Sequence, residues 1–129
     1  MSEIVVSICS RVKSTKTGFM PAQERYAGTH IAKVREEAER RHARFYILSG
    51  KHGLIMGKKR IENYDYLLTS EGIDELVPKI VGPLRASRAT EVHFFTKMKE
   101  SWEPYLAAME RAVKVVSVRL ILHRLGQDD

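Results

Sequence analysis

Ile4-Val5-Val6-Ser7-Ile8-Cys9, running into Ser10-Arg11-Val12-Lys13, is the stretch on which the reading of the fold turns. Its first six residues are β-branched and almost continuously apolar. A half-exposed strand would alternate apolar and polar residues, so this pattern predicts a strand buried on both faces. Such a strand belongs in a sheet covered by helices above and below, and the rest of the chain supplies them. A polar, basic loop over residues 10–21 is followed by a helical turn at 21–26. Helical periodicity then runs over 31–43, where Ile31, Val34 and Ala38 share one face and Thr29 suits the N-cap. Phe45-Tyr46-Ile47-Leu48 is a second buried strand, ended by Ser49-Gly50.

Residues 51–70 read as irregular. A helix is expected over 73–84, shortened, kinked or divided by Pro78 and Pro83. Val92-His93-Phe94-Phe95 gives a third strand, and 104–113 a helix with Pro104 in its first turn. Val115-Val116-Ser117-Val118 reads as a fourth strand, with a short terminal turn over 120–125. Strands and helices alternate, with connections long enough for parallel crossovers. The expectation is an α/β fold: one domain over 1–129, a three-layer α/β/α sandwich with a parallel sheet of about four strands. In such sheets ligands bind beyond the carboxyl ends of the strands. The loops opening at Cys9-Ser10, Ser49-Gly50 and Thr96-Lys97 are therefore where chemistry is expected.

Composition narrows the class. Of 129 residues, 43% are hydrophobic and 29% charged, a globular mixture rather than a disordered one. No apolar run approaches the roughly 18 residues of a spanning helix, and Met1-Ser2-Glu3 is no signal-peptide start. One cysteine, Cys9, excludes an internal disulfide and most multi-cysteine zinc sites. The expectation is a small cytoplasmic domain with no membrane partner. The net charge of +6 is unevenly placed: residues 1–60 carry +8 and residues 61–129 carry −2. An excess of that kind attracts phosphate or nucleic acid, although scattered surface lysines produce the same total.

Three polar groupings stand at the expected edge. In Cys9-Ser10-Arg11-Val12-Lys13, a thiol or hydroxyl at a strand end beside cations suits a nucleophile or a phosphate cradle. A small buried cysteine filling the strand end is the structural alternative for Cys9. In Ser49-Gly50-Lys51-His52-Gly53-Leu54, two glycines let the backbone turn and approach a ligand. Lys51 can hold an anion there and His52 can exchange protons near neutrality. A turn needing its glycines for geometry alone is again the alternative. The grouping is not a P-loop, because Phe45 stands where that motif needs its first glycine and His52 where it needs Ser or Thr. In Glu62-Asn63-Tyr64-Asp65-Tyr66, Asp65 can orient a histidine and the tyrosines can stack on a base. Trp102 reads as a core residue, and the five histidines show no metal-ligand spacing. No metal and no cofactor is expected.

Together the segments Cys9-Ser10-x-x-Lys13, Ala22-x-x-x-Tyr26-x-Gly28, Tyr46-Ile47-Leu48-Ser49-Gly50-Lys51-His52-Gly53-Leu54 and Glu62-x-Tyr64-Asp65 resemble the DUF6884 family of uncharacterised domains. The resemblance implies a parallel α/β sandwich and assigns no activity. The Cys-Ser-x-x-Lys entry is also similar, more distantly, to a domain of archaeosine synthases, enzymes of tRNA deazaguanine modification, which implies a uracil-DNA-glycosylase-like fold. Here Lys13 is followed by Ser14-Thr15-Lys16 where that pattern has Pro-Tyr, and the glycosylase's water-activating Asp motif and His-Pro-Ser loop are absent.

Two functional expectations follow. The first is recognition of a nucleotide or nucleic acid (RNA or single-stranded DNA), within nucleobase modification or excision. Its pocket comprises Ser10, Lys13, Ser49, Gly50, Lys51, His52 and Gly53, bordered by Tyr26 or Tyr64, with residues 40, 41, 58, 59 and 60 extending the basic footprint. The second is a nucleoside or nucleotide hydrolase or transferase. There His52 is the acid or base oriented by Asp65, and Ser10 or Cys9 is the nucleophile or oxyanion donor. A non-catalytic scaffold docking a larger protein is a third reading, whose mark is a large exposed apolar patch.

Overall fold

A computed structural model describes residues 2–126. In chain order the elements are β1 (Glu3–Ile8), β2 (Met20–Pro21), α1 (Ala22–Arg25), α2 (Thr29–Arg40), β3 (Arg44–Ser49), β4 (Gly53–Met56), β5 (Arg60–Ile61), α3 (Ile73–Ser87), β6 (Glu91–Thr96), α4 (Glu103–Val116) and β7 (Arg119–Arg124). Short 3-10 turns, Ser70–Gly72 and Glu100–Trp102, lead into α3 and α4. The main sheet has the order β4-β3-β1-β6-β7. β1, β3, β6 and β7 are mutually parallel, and β4 adds an antiparallel edge. β2 and β5 form a separate two-stranded ribbon.

β1 is central and buried on both faces, as its unbroken apolar run requires. Ile4, Val6 and Ile8 join the core built with Leu76, Ile80 and Leu84 of α3 and with Ala108, Met109 and Ala112 of α4. Val5 points the other way, onto Val34 and Ala38 of α2. Each such side chain contributes about 1.5–3 kcal/mol by leaving water. The chain is thus a three-layer α/β sandwich with α2 on one face and α3 and α4 on the other. From β1 it crosses to β3 on one side, then returns to β6 on the other. That reversal makes the β1/β6 carboxyl edge the topological switch point.

Four expectations about elements are corrected. Val115 and Val116 end α4 rather than opening a strand, because Ala108, Met109, Ala112 and Val113 keep the helical face buried up to that point. Ser117, at φ 61°, then stops the helix, and the fourth parallel strand is β7, where a terminal turn was expected. Residues 53–56, read as irregular, are β4. α3 is one continuous helix to Ser87 despite Pro78 and Pro83. Finally, Thr29 is the first residue of α2 and Gly28 its N-cap.

Candidate functional site

The carboxyl end of β1 opens into a cleft of about 310 Å³. Cys9, Ser10, Arg11 and Lys13 from the loop after β1 line it, with Tyr64, Asp65, Tyr66 and Leu67 from the segment before α3. Ser101, Trp102 and Tyr105 contribute from the start of α4. Of the residues expected from sequence, Cys9, Ser10, Lys13, Tyr64 and Asp65 therefore share one cavity. Tyr66, expected to stack or to pin the loop, lines it too.

Tyr26 and Ser49 stand behind Tyr64. The Tyr64 hydroxyl is hydrogen-bonded to that of Tyr26 and lies 3.0 Å from Ser49 Oγ. Ser49 Oγ in turn accepts the backbone N–H of His52 at 3.0 Å. Burial pushes the Tyr26 and Tyr64 phenols above the ordinary tyrosine range, so both remain protonated donors. Two cations lie over the Tyr64 ring, Lys13 Nζ 4.7 Å and Lys51 Nζ 5.1 Å from its centroid. The His52 ring meets it edge-on at 5.2 Å.

His52 is held below the ordinary imidazole pKa, first by burial, with Glu62 opposing. Its carboxylate neighbour is Glu62, at 3.4 Å from Nε2; exposed Asp65 is not the group that meets it. The 3.4 Å approach lacks hydrogen-bond geometry, so the buried Nε2 meets Glu62 as a charge rather than through a hydrogen bond. Glu62 also pairs with Lys51 at 2.7 Å, and that contact chiefly lowers its carboxyl pKa.

The expected nucleophiles are engaged otherwise. Ser10 Oγ donates to the Val12 carbonyl at 2.6 Å and accepts from Gly28 N–H at 3.1 Å, which ties the loop to the start of α2. Burial raises the Cys9 thiol pKa, and its sulfur lies 3.7 Å from the Tyr105 hydroxyl. A protonated, packed thiol fits the structural alternative for this cysteine. The two glycines of the Ser49–Gly53 turn face protein as well. A Cβ at Gly50 would lie 3.1 Å from Leu68 and 3.2 Å from the Tyr105 hydroxyl; at Gly53, 2.4 Å from the Lys79 carbonyl of α3. Lys51 and His52 occupy the tip of the β3–β4 hairpin, outside the lining of the cleft.

The basic footprint expected around residues 40, 41, 58, 59 and 60 lies elsewhere. Arg40 and Arg41 end α2 and pair with Glu37. Gly57, next to Lys58, bonds to Phe45 near the amino end of β3. Arg40, Arg41, Lys58 and Lys59 gather toward the amino ends of the strands, away from the cleft, while Arg60 lies in the β2–β5 ribbon, bonded to the Phe19 carbonyl.

Sequence reading missed Arg11, Ser101, Trp102 and Tyr105 as site residues. A usable signal existed: the helix after β6 must begin at the carboxyl edge, so its first turn faces the ligand side. His30 was missed too. It donates from Nε2 to the Ile8 carbonyl at 2.7 Å and packs against Trp102 at 5.0 Å, bracing the cleft from below.

The chain is a doubly wound α/β domain with a small aromatic and cationic cleft at its switch point. The chain belongs to the DUF6884 family, a family of unknown function, whose model matches residues 4–128. Comparison with curated proteins and with solved structures finds no match, so the likeness to archaeosine synthases gains no support from either. No helix of the described residues is long and apolar enough to cross a membrane.

Proposed function

We propose that the cleft binds one nucleotide unit, presented within RNA or single-stranded DNA. The observation that carries this reading is the combination at the switch point of aromatic walls with the cations Arg11 and Lys13. Exposed Tyr66 and half-buried Trp102 offer ring surface to a base, Tyr64 and Tyr105 wall the cleft behind them, and the cations offer charge to the phosphate. A volume of about 310 Å³ is at the lower end for ligand pockets, which suits one nucleotide rather than a larger cofactor. The exposed apolar side chains Val12, Tyr66, Leu67 and Met98 stand on the loops bordering the opening, where neighbouring bases of a strand would rest.

The single tryptophan makes the test direct, because Trp102 lines the cleft. Titration with the four nucleoside monophosphates and with short RNA and DNA strands should quench Trp102 emission. Lys13→Ala should weaken the tightest of these by about tenfold, or about 1.4 kcal/mol. Absence of quenching by every ligand, with polymer binding unchanged in an Arg11→Ala/Lys13→Ala double variant, would sink the reading.

A second reading, acid–base catalysis by His52 beside Glu62, requires a substrate that extends from the cleft past the Tyr64 ring, against which His52 packs edge-on at 5.2 Å. It predicts that His52→Gln abolishes turnover while leaving Trp102 quenching intact.

A further inference from the structure

On the face of the sheet that carries α2, at the amino ends of β1 and β6, a second polar cluster lies far from the cleft. Glu3 of β1 and Glu91 of β6 are register partners, and His93 follows Glu91 on the same face. His93 Nε2 lies 3.1 Å from Glu3 Oε2 and 2.8 Å from Glu91 Oε1. The three donor atoms all fall within 4.8 Å of one another.

We propose that Glu3, Glu91 and His93 bind a divalent transition-metal ion through Glu3 Oε2, Glu91 Oε1 and His93 Nε2. Ligands held about 2.0–2.2 Å from one ion, as in tetrahedral or octahedral sites, stand roughly 3 Å apart, which is the spacing His93 Nε2 already has from each carboxylate oxygen. The His93 side chain is only 5% exposed, so its position is set by packing, whereas Glu3 and Glu91 reach solvent at 34% and 22%. An open cavity bordered by Ser2, Glu3, Arg41 and Glu91 provides entry. Two carboxylates and one imidazole are a nitrogen–oxygen donor set, suited to Zn²⁺, Mn²⁺ or Fe²⁺. Three protein ligands leave the remaining positions to water.

The neighbouring groups complete the site. His93 Nδ1 lies 2.8 Å from His123 Nε2 of β7. If Nδ1–H donates to His123, the Nε2 lone pair is presented to the ion, the arrangement by which an outer partner selects a metal-binding tautomer. Arg41, which caps the end of α2, and Arg119 of β7 approach the outer oxygens, Glu3 Oε1 at 3.8 Å and Glu91 Oε2 at 3.9 Å. Arg41 is also paired with Glu37 of α2 at 3.0 Å. The inner oxygens stay turned toward His93, and the two arginines temper the site's negative charge. The expected affinity is therefore micromolar rather than that of a structural zinc site.

The test is calorimetric titration of the chelator-treated chain with Zn²⁺ and Mn²⁺, accompanied by the absorption spectrum with Co²⁺. One ion per chain is expected, with a cobalt spectrum showing nitrogen and oxygen ligation. Glu3→Gln/Glu91→Gln and His93→Gln should each lose at least about 100-fold in affinity, and His123→Asn about 10–100-fold. Should His93→Gln fail to fold by circular dichroism, the isosteric glutamine pair still decides. No saturable binding below millimolar metal overturns the site, as does binding that the glutamine pair leaves unchanged. Either result would make the cluster a hydrogen-bonded ion network. Trp102 quenching by nucleotide should be unaffected throughout, which separates this site from the cleft.

Discussion

Tyr64 connects most of what the candidate site contains: its hydroxyl reaches Tyr26 and Ser49, while its ring meets Lys13, Lys51 and His52. Sequence placed these residues in three separate groupings, and nothing in their spacing announced that one phenol would link them. His30 shows the same limit more sharply. It is buried, and desolvation is the first cause of its lowered pKa. A depressed pKa means that the fold prefers neutral imidazole. The corresponding stability is complete above the unfolded value of about 6.5 and is lost as pH falls below it toward the folded value. The melting temperature should therefore be flat near neutrality and decline on acidification. His30→Gln should shrink that acid limb, to which His52 and His123, shifted the same way, also contribute, with Glu37 and Glu62 adding their loss at lower pH. An unchanged acid limb in His30→Gln would show that His30 does not drive it.

At the scale of elements, the β3–β4 hairpin explains the glycines that sequence offered as ligand contacts. Its loop has three residues, and Gly53 closes it at φ 84°, the left-handed conformation expected after a turn of that length. The same glycine abuts the carbonyl of Lys79. That carbonyl is four residues before Pro83, which has no N–H to give it, so helix and hairpin meet where the proline has freed a backbone oxygen. Gly53→Ala adds a clash with backbone to an unfavourable φ, and should cost at least about 2 kcal/mol in urea unfolding. A loss below about 0.5 kcal/mol, the size of an ordinary surface change, would refute this account. The shift of the last strand from 115–118 to β7 has a comparable cause. A β-branched run favours a strand locally, but the buried face of α4 reaches Val113 and carries the helix on to Val116, so tertiary packing overrides propensity.

Across the whole molecule, charge and cleft are separated. The +8 of the first sixty residues suggested one basic footprint, yet Arg40, Arg41, Lys58 and Lys59 collect at the amino ends of the strands. The cleft relies on Arg11 and Lys13. Binding of a single nucleotide should thus be indifferent to Lys58→Ala/Lys59→Ala and sensitive to Lys13→Ala, with the salt slope reduced only by the latter. A Lys58/Lys59 double variant that lost nucleotide affinity as Lys13→Ala does would show that the two regions act as one.

The architecture was legible because it rests on local pattern. A continuous apolar run can only be covered on both faces, and alternation with helices then makes the sheet parallel and its carboxyl edge the place for ligands. Lys13 and Tyr64 could be proposed on that basis. The contents of the site could not be, since Trp102 and Tyr105 arrive from a helix some ninety residues after Cys9, and Glu62 displaces Asp65 beside His52 through the path of one loop. The Glu3, Glu91 and His93 cluster was invisible for the same reason: no ligand spacing exists along the chain, and only the register of β1 against β6 brings the three together. Periodicity along a chain records which faces are buried, but distances across strands are set by pairing, which packing of the whole molecule selects.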